Sequence, residues 1–292
     1  MNQELKQYKR IILLGDGWGA IAVYKGLTDF CLPVFVQTND EELRSMANQE
    51  ISYPLSQYSG ELLLFAGYKP IVSKDVLRKN TCINIHYSLL PAYRGFHSTV
   101  WAILNDEPYL GATIHLMSPY IDDGPVIYQY KTENDFVSTS CDYMNMFNKK
   151  MTEVVSGVLS DYINGRIIPI EQDKNKASWV GKRNEKDCQI DFSKPISYQK
   201  AFFRALVSPY PLPYIVHKEQ KYIVTKVSFS PSPVQTHIGR ILNIDNEGIW
   251  VKIADGYMIM QELRNENNEI VPYSKFRIGQ YINKFNQNVG HV

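Results

Sequence analysis

Ile11-Ile12-Leu13-Leu14 is an unbroken apolar run that ends directly in Gly15-Asp16-Gly17-Trp18-Gly19, with a helix-like stretch to about Leu27 beyond it. Strand, glycine-rich turn and helix in that order make a Rossmann-like opening, and they commit the chain to an α/β fold. Residues 33–37 read as a second strand and residues 39–49 as a short polar helix or connection. Residues 62–66 form a third buried strand running into Gly67-Tyr68-Lys69-Pro70. A fourth strand carries Asn84 and His86, and residues 111–117 form another before the loop that holds Asp122. Across residues 138–164, Phe147, Met151, Val154, Val155, Val158 and Tyr162 recur at helical spacing, and Gly165 stands where a C-terminal cap belongs.

Downstream the pattern changes. Residues 173–187 are charged and polar around Trp179-Val180 and read as a linker. Residues 197–207 read as one helix, stopped by Pro209, Pro211 and Pro213. Short strands follow at 222–229, 239–243, 249–253 and 257–263, punctuated by Asn246-Glu247-Gly248 and Asp255-Gly256. The expectation is a first domain over residues 1–180 and a smaller, mainly-β (OB-like) domain over residues 188–292.

A chain of 292 residues has room for both. No apolar run is long enough to span a bilayer, and residues 1–10 are too polar for a signal peptide. Cys31, Cys82, Cys141 and Cys188 are scattered without a Cys-x-x-Cys pair, which reads as reduced thiols in a cytoplasmic protein. His217, His237 and His291 share no metal-like spacing, so no metal is expected. The net charge of +1 supplies no global attraction to nucleic acid. The opening turn lacks the longer glycine pattern of a dinucleotide site, and Asp16 and Trp18 crowd it.

The chemistry concentrates at the end of the fourth strand. Alternation along Cys82-Ile83-Asn84-Ile85-His86 puts Asn84 and His86 on one face. An amide donor beside an imidazole suits a carbonyl that must become an oxyanion. A carboxylate then fixes the imidazole tautomer and raises its basicity, and Asp122 and Asp123 both offer one. Taken singly, His86 reads as a hydrogen-bonded structural histidine and Asn84 as a strand-end cap. Ser88 either meets a substrate or ties its own turn together, and Arg94 is either a phosphate ligand or a surface arginine.

Asn84-x-His86, Ser88-Leu89-Leu90-Pro91, Tyr93-Arg94-Gly95 and Asp122-x-Gly124-Pro125 occur in that order within residues 61–130. A weaker pattern follows at Arg204-Ala205-Leu206 and Pro209-Tyr210-Pro211. In these segments the chain resembles the formyltetrahydrofolate-dependent formyltransferases. The resemblance implies a Rossmann-like formyltransferase domain in which Asn84, His86 and Asp122 are catalytic, with His86 protonated and sharing the oxyanion with Asn84. It selects Asp122 over Asp123, which is left solvated. It further implies that Gly67, Tyr68, Lys69, Pro70, Ile71, Val72, Ile121 and Gly124 meet the donor, N10-formyltetrahydrofolate. Ser88, Tyr93, Arg94, Gly95 and Trp18 are implied on the acceptor side.

Three acceptors suit such a fold. The hundred residues beyond the first domain argue against the single-domain purine enzyme. The tRNA enzyme carries a basic loop after its second strand, whereas Thr38-Asn39-Asp40-Glu41-Glu42-Leu43-Arg44-Ser45 is short and acidic, a direct objection where phosphate contacts dominate. A nucleotide-linked amino-deoxy sugar remains, a dTDP-4-amino-4,6-dideoxyhexose or its 3-amino counterpart. Its product would enter surface polysaccharide such as lipopolysaccharide O-antigen. Methionyl-tRNA is the alternative. Folate and the nucleotide sugar are then the expected partners of a cytoplasmic homodimer that engages neither nucleic acid nor membrane. An aromatic side chain suits the nucleobase, but the sequence does not say which one. Formyltetrahydrofolate hydrolysis and a non-catalytic folate sensor are competing readings, and the intact Asn84, His86 and Asp122 weigh against the second.

Overall fold

A computed structural model describes residues 8–283. The chain divides into two compact units, the first holding residues up to 102, 107–135 and 142–182, the second residues 103–106, 136–141 and those from 183 onward.

In the first unit a six-stranded sheet has the order β2-β1-β3-β4-β6-β7. β1 (Ile11–Leu14), β2 (Val34–Gln37), β3 (Leu62–Ala66) and β4 (Thr81–His86) run parallel. β6 (Tyr109–Leu116) and β7 (Val126–Glu133) extend the sheet antiparallel. α1 (Gly17–Gly26), α2 (Glu41–Met46), α3 (Lys74–Lys79), α4 (Ser98–Leu104) and α5 (Ser140–Ile163) are its helices. Every residue of β1 and β3 is buried, as a parallel strand covered on both faces requires. Ile12, Leu14, Leu63, Phe65 and Val76 belong to one apolar cluster of that core.

The turn after β1 owes its shape to close backbone approach. Gly15 has φ +144°, and a Cβ there would stand 1.7 Å from the Ala66 carbonyl oxygen at the end of β3. Gly15→Ala must push apart two neighbouring strands, so it should cost well above about 1 kcal/mol. A drop in the urea midpoint is the readout, and an unchanged midpoint would contradict the packing.

The turn is also closed electrostatically. Asp40 Oδ2 accepts the Gly17 N–H at 3.0 Å, and Asp40 Oδ1 caps α2 by accepting the Leu43 N–H at 2.9 Å. Asp16 Oδ1 accepts from Thr38 Oγ1 at 2.9 Å and from the Asn39 N–H at 2.7 Å. A helix N-terminus that would attract a phosphate already faces carboxylates.

Residues 173–187 are not a free linker. β8 (Trp179–Val180) pairs in parallel with β5 (Arg94–Gly95), fastening that segment beside the loop after β4. In the second unit, α6 (Ile196–Ala205) precedes β9 (Tyr214–His217), β10 (Gln220–Pro231), β11 (Ile241–Asp245), β12 (Gly248–Ile253) and β13 (Gly256–Arg264). These strands form one antiparallel sheet of order β11-β12-β13-β10-β9, with Ile249, Val251, Ile253, Met258 and Met260 buried. No helix among the described residues is long and apolar enough to cross a membrane.

Candidate active site

Asn84 and His86 share a face of β4, and register brings a third side chain to them. β6 pairs antiparallel with β4 so that His115 lies directly opposite Asn84. Asp122 arrives from the loop after β6 with φ 50°, a left-handed conformation that asparagine and aspartate tolerate better than most. Two features hold that loop. Gly124 has no room for a Cβ, which would lie 1.9 Å from the Leu116 carbonyl oxygen. Gln172 Nε2 donates to the carbonyl oxygens of Asp122 at 2.8 Å and Gly124 at 2.7 Å.

The result is a compact cluster. Asn84 Nδ2 lies 3.3 Å from Asp122 Oδ1 and 3.1 Å from His115 Nε2. Asp122 Oδ2 lies 3.5 Å from His86 Nδ1 and accepts the Gly95 N–H at 2.9 Å. The ring nitrogens are assigned by their carbonyl partners, which can only accept. Nε2–H of His86 donates to Tyr93 at 2.9 Å, and Nδ1–H of His115 donates to Leu116 at 2.7 Å. The other nitrogen of each ring then faces the cluster, His115 Nε2 toward the Asn84 amide and His86 Nδ1 toward Asp122.

Charge follows from these contacts. Burial lowers the His86 pKa below its usual 6.5; Asp122 and the Tyr93 carbonyl pull it back up in part, and His115 adds to the lowering. Burial alone would raise Asp122, but His115, His86 and the Gly95 N–H outweigh it and hold the carboxyl at about 2. Both shifts favour a neutral His86 imidazole beside an ionised Asp122 before substrates meet, whereas the sequence-based expectation of a protonated His86 concerns the oxyanion stage. If neutral His86 is the working form, kcat/KM falls as pH drops through a pKa under 6.5. In Asp122→Asn that acid limb should move to still lower pH, because the charge favouring imidazolium is gone. A limb that moved upward in a pH–rate profile would refute the assignment.

Other sequence candidates divide. Arg94 is 3% exposed; its guanidinium pairs with Asp123 at 2.5 Å and donates to Gln172 at 2.7 Å. Both expectations for this pair are corrected: Asp123 is not solvated, and Arg94 is spent on an internal ion pair rather than presented to a phosphate. Ser88 is also buried, its hydroxyl donating to the Ala92 carbonyl at 2.7 Å, so it ties its own turn. Tyr93 gives its carbonyl to His86 and its hydroxyl to Glu107 at 2.6 Å. Gly95 contributes its backbone N–H to Asp122. Trp18 is 48% exposed in the first turn of α1, beside the N–H that Asp40 occupies.

In the segment after β3, Gly67, Lys69, Pro70 and Ile71 are exposed, Tyr68 packs edge-on against Phe65, and Val72 is buried. Ile71 is 88% and Ile121 57% exposed, two aliphatic side chains offered to solvent in loops that adjoin the cluster. Among the described residues, no group of three or more His, Cys, Asp and Glu is arranged to hold a metal.

Two residues of the site were not among its sequence candidates. His115 reads from sequence as a structural histidine and is brought to the site only by the β4–β6 register, a long-range property. Gln172 looks like any polar residue near a strand end until its bonds to Arg94, Asp122 and Gly124 are traced.

Comparison with known proteins places these observations. A formyl transferase family profile matches residues 25–159, and the profile for the formyl transferase C-terminal domain matches residues 182–281. A methionyl-tRNA formyltransferase from Ruminiclostridium cellulolyticum is 31% identical over 215 residues, covering 72% of this chain and 68% of its own. One from Caldicellulosiruptor saccharolyticus is 29% identical, covering 82% and 78%. Among solved structures, the Helicobacter canadensis N-formyltransferase in complex with folinic acid and dTDP-3-aminofucose superposes with TM-score 0.70. It is 18% identical, covering 87% of this chain and 99% of its own. A 4-N formyltransferase from Francisella tularensis gives TM-score 0.60 at 23% identity, covering 73% and 95%. At such identities the superpositions speak for the fold, while the matched profiles and the 31% identical relative carry the descent: this chain belongs to the formyl transferase family.

Proposed function

We propose that the protein transfers a formyl group from N10-formyltetrahydrofolate to the amine of a nucleotide-linked amino-deoxy sugar, a dTDP-4-amino-4,6-dideoxyhexose or its 3-amino counterpart. The observation that carries the transfer chemistry is the convergence of Asn84 and His86 on Asp122, whose carboxylate oxygens lie 3.3 Å from Asn84 Nδ2 and 3.5 Å from His86 Nδ1. The exposed segment 67–71 and the aliphatic side chains of Ile71 and Ile121 fit a flat, partly apolar donor such as a pterin. When bound, the folate supplies a formyl carbon on a nitrogen leaving group.

The chain's own residues then divide the work. One N–H of the Asn84 amide leaves its resting partner, Asp122 or His115, to donate to the oxygen on which negative charge gathers. Bare Nδ1 of His86 accepts the proton that the attacking amine must lose, and ionised Asp122 stabilises the imidazolium so formed. The same Nδ1–H returns the proton to the departing nitrogen. Tyr93 keeps the ring in the orientation that makes Nδ1 the active atom.

The acceptor is argued from charge. Residues 38–42 are acidic and engaged with the β1–α1 turn, so the place where a tRNA-directed relative is basic offers no phosphate contact. A structurally similar sugar 3N-formyl transferase with dTDP, and the Helicobacter canadensis N-formyltransferase with dTDP-3-aminofucose, support this reading and the nucleotide. The methionyl-tRNA formyltransferases among the curated relatives favour a second reading, methionyl-tRNA. Incubation with formyl donor and each acceptor separates the two: one added formyl on the dTDP-amino sugar and none on methionyl-tRNA is expected, and the reverse overturns the proposal. The product would serve surface polysaccharide, and the enzyme would work as a cytoplasmic homodimer. Sedimentation at the monomer mass of 33.7 kDa would remove the dimer.

A further inference from the structure

We infer that Trp179 is the platform on which the acceptor's nucleobase stacks, and that Lys174, Lys176 and Lys182 attract its diphosphate. The inference rests on the nucleotide-sugar reading and names the side of the site where the nucleotide lies.

Trp179 is 67% exposed, an unusual position for the largest apolar side chain, yet its backbone is firmly held. Arg94 N–H donates to the Ser178 carbonyl at 2.9 Å, and Phe96 N–H donates to that of Val180 at 3.3 Å. Trp101 Nε1 donates to the Gly181 carbonyl at 2.9 Å. The Arg94 guanidinium lies 5.6 Å from the centre of the Trp179 ring, so a cation holds the indole while much of its surface stays open to solvent. Such an indole is preorganised to receive a flat ring, because little side-chain freedom is lost on binding.

The ribbon is also next to the chemistry. β5, which pairs with β8, gives the Gly95 N–H to Asp122, and Arg94 one residue earlier pairs with Asp123. Charge then selects the ligand. Residues 173–182 carry one acidic residue, Asp173, against the exposed Lys174, Lys176 and Lys182, and only Lys176 is shared with Asp173, at 3.6 Å. The other exposed indole of this unit, Trp18, follows the turn that holds Asp16 and the Gly17 N–H bonded by Asp40, carboxylates that repel a diphosphate.

A planar ring could also belong to the folate donor, so the test has two ligand arms. Intrinsic fluorescence is titrated with dTDP and, separately, with folinic acid, in the wild-type protein and in Trp179→Phe. dTDP should quench the wild type, and that quench should vanish in Trp179→Phe, although Trp18, Trp101 and Trp250 remain. Trp179→Ala should raise KM for the nucleotide sugar about tenfold, consistent with stacking on an aromatic side chain, with kcat and the donor KM changed less than about twofold. Lys176→Glu with Lys182→Glu should weaken dTDP binding and flatten its salt dependence. A quench that persists in Trp179→Phe, one produced by folinic acid instead of dTDP, or an unchanged KM in Trp179→Ala overturns the inference. If the sugar is formylated while these effects are missing, only the platform falls. If no nucleotide sugar is formylated, the acceptor assignment falls with it.

Discussion

Asn84→Ala should lower kcat by about 100- to 1000-fold, the usual consequence of removing one donor from a developing oxyanion. The amide has no substitute in place: His86 has its Nε2–H on Tyr93, and His115 has its Nδ1–H on Leu116. The loss should fall on kcat more than on KM, since the bond strengthens as charge builds on the oxygen. Asn84 is half-buried and its two contacts are to groups that retain other partners, so the melting temperature should change little. Single-turnover formylation beside a thermal melt tests both halves. A folded variant with near-normal turnover would remove Asn84 from the mechanism.

Arg94→Ala should destabilise the fold by about 3–5 kcal/mol, because it strands the Asp123 carboxylate in a nearly closed environment. Side-chain exposure of the pair is 4% for Arg94 and 18% for Asp123. Arg94→Ala combined with Asp123→Ala should recover much of that loss, since no unpaired charge remains. Urea unfolding of the two single variants and the double variant measures the coupling. Activity should fall as well in Arg94→Ala, as Gln172 loses both bonds from the guanidinium and relaxes its grip on the loop that presents Asp122. Additive losses would mean that the pair is not coupled.

What the sequence disclosed depended on whether the signal was local. β3 falls on residues 62–66 as expected, and the long amphipathic run at 138–164 became α5, because both are written in consecutive residues. β7 went unread although Val126-Ile127-Tyr128-Gln129-Tyr130-Lys131 alternates; as an edge strand it buries only one face, and its polar residues look like loop. β9 was hidden between Pro213 and the Lys218-Glu219 turn, too short to show a period. At the site, Asn84, His86 and Asp122 were recognisable as motif members. The companions that fix their state were not. His115 required strand register, and Gln172 required knowledge of which carbonyls lacked donors. Asp123 looked solvated and Arg94 available to a phosphate because nothing in a sequence reports that two ions 29 positions apart are buried together.

The carboxylate of Asp40 reaches further than its helix-capping duty. By occupying the backbone donor at Gly17 it acts as a resident anion, so a mononucleotide arriving at the strand–turn–helix crevice would meet a lock already turned. Converting this scaffold to a dinucleotide enzyme would first require evicting that residue, and α2 would lose its cap in the same stroke.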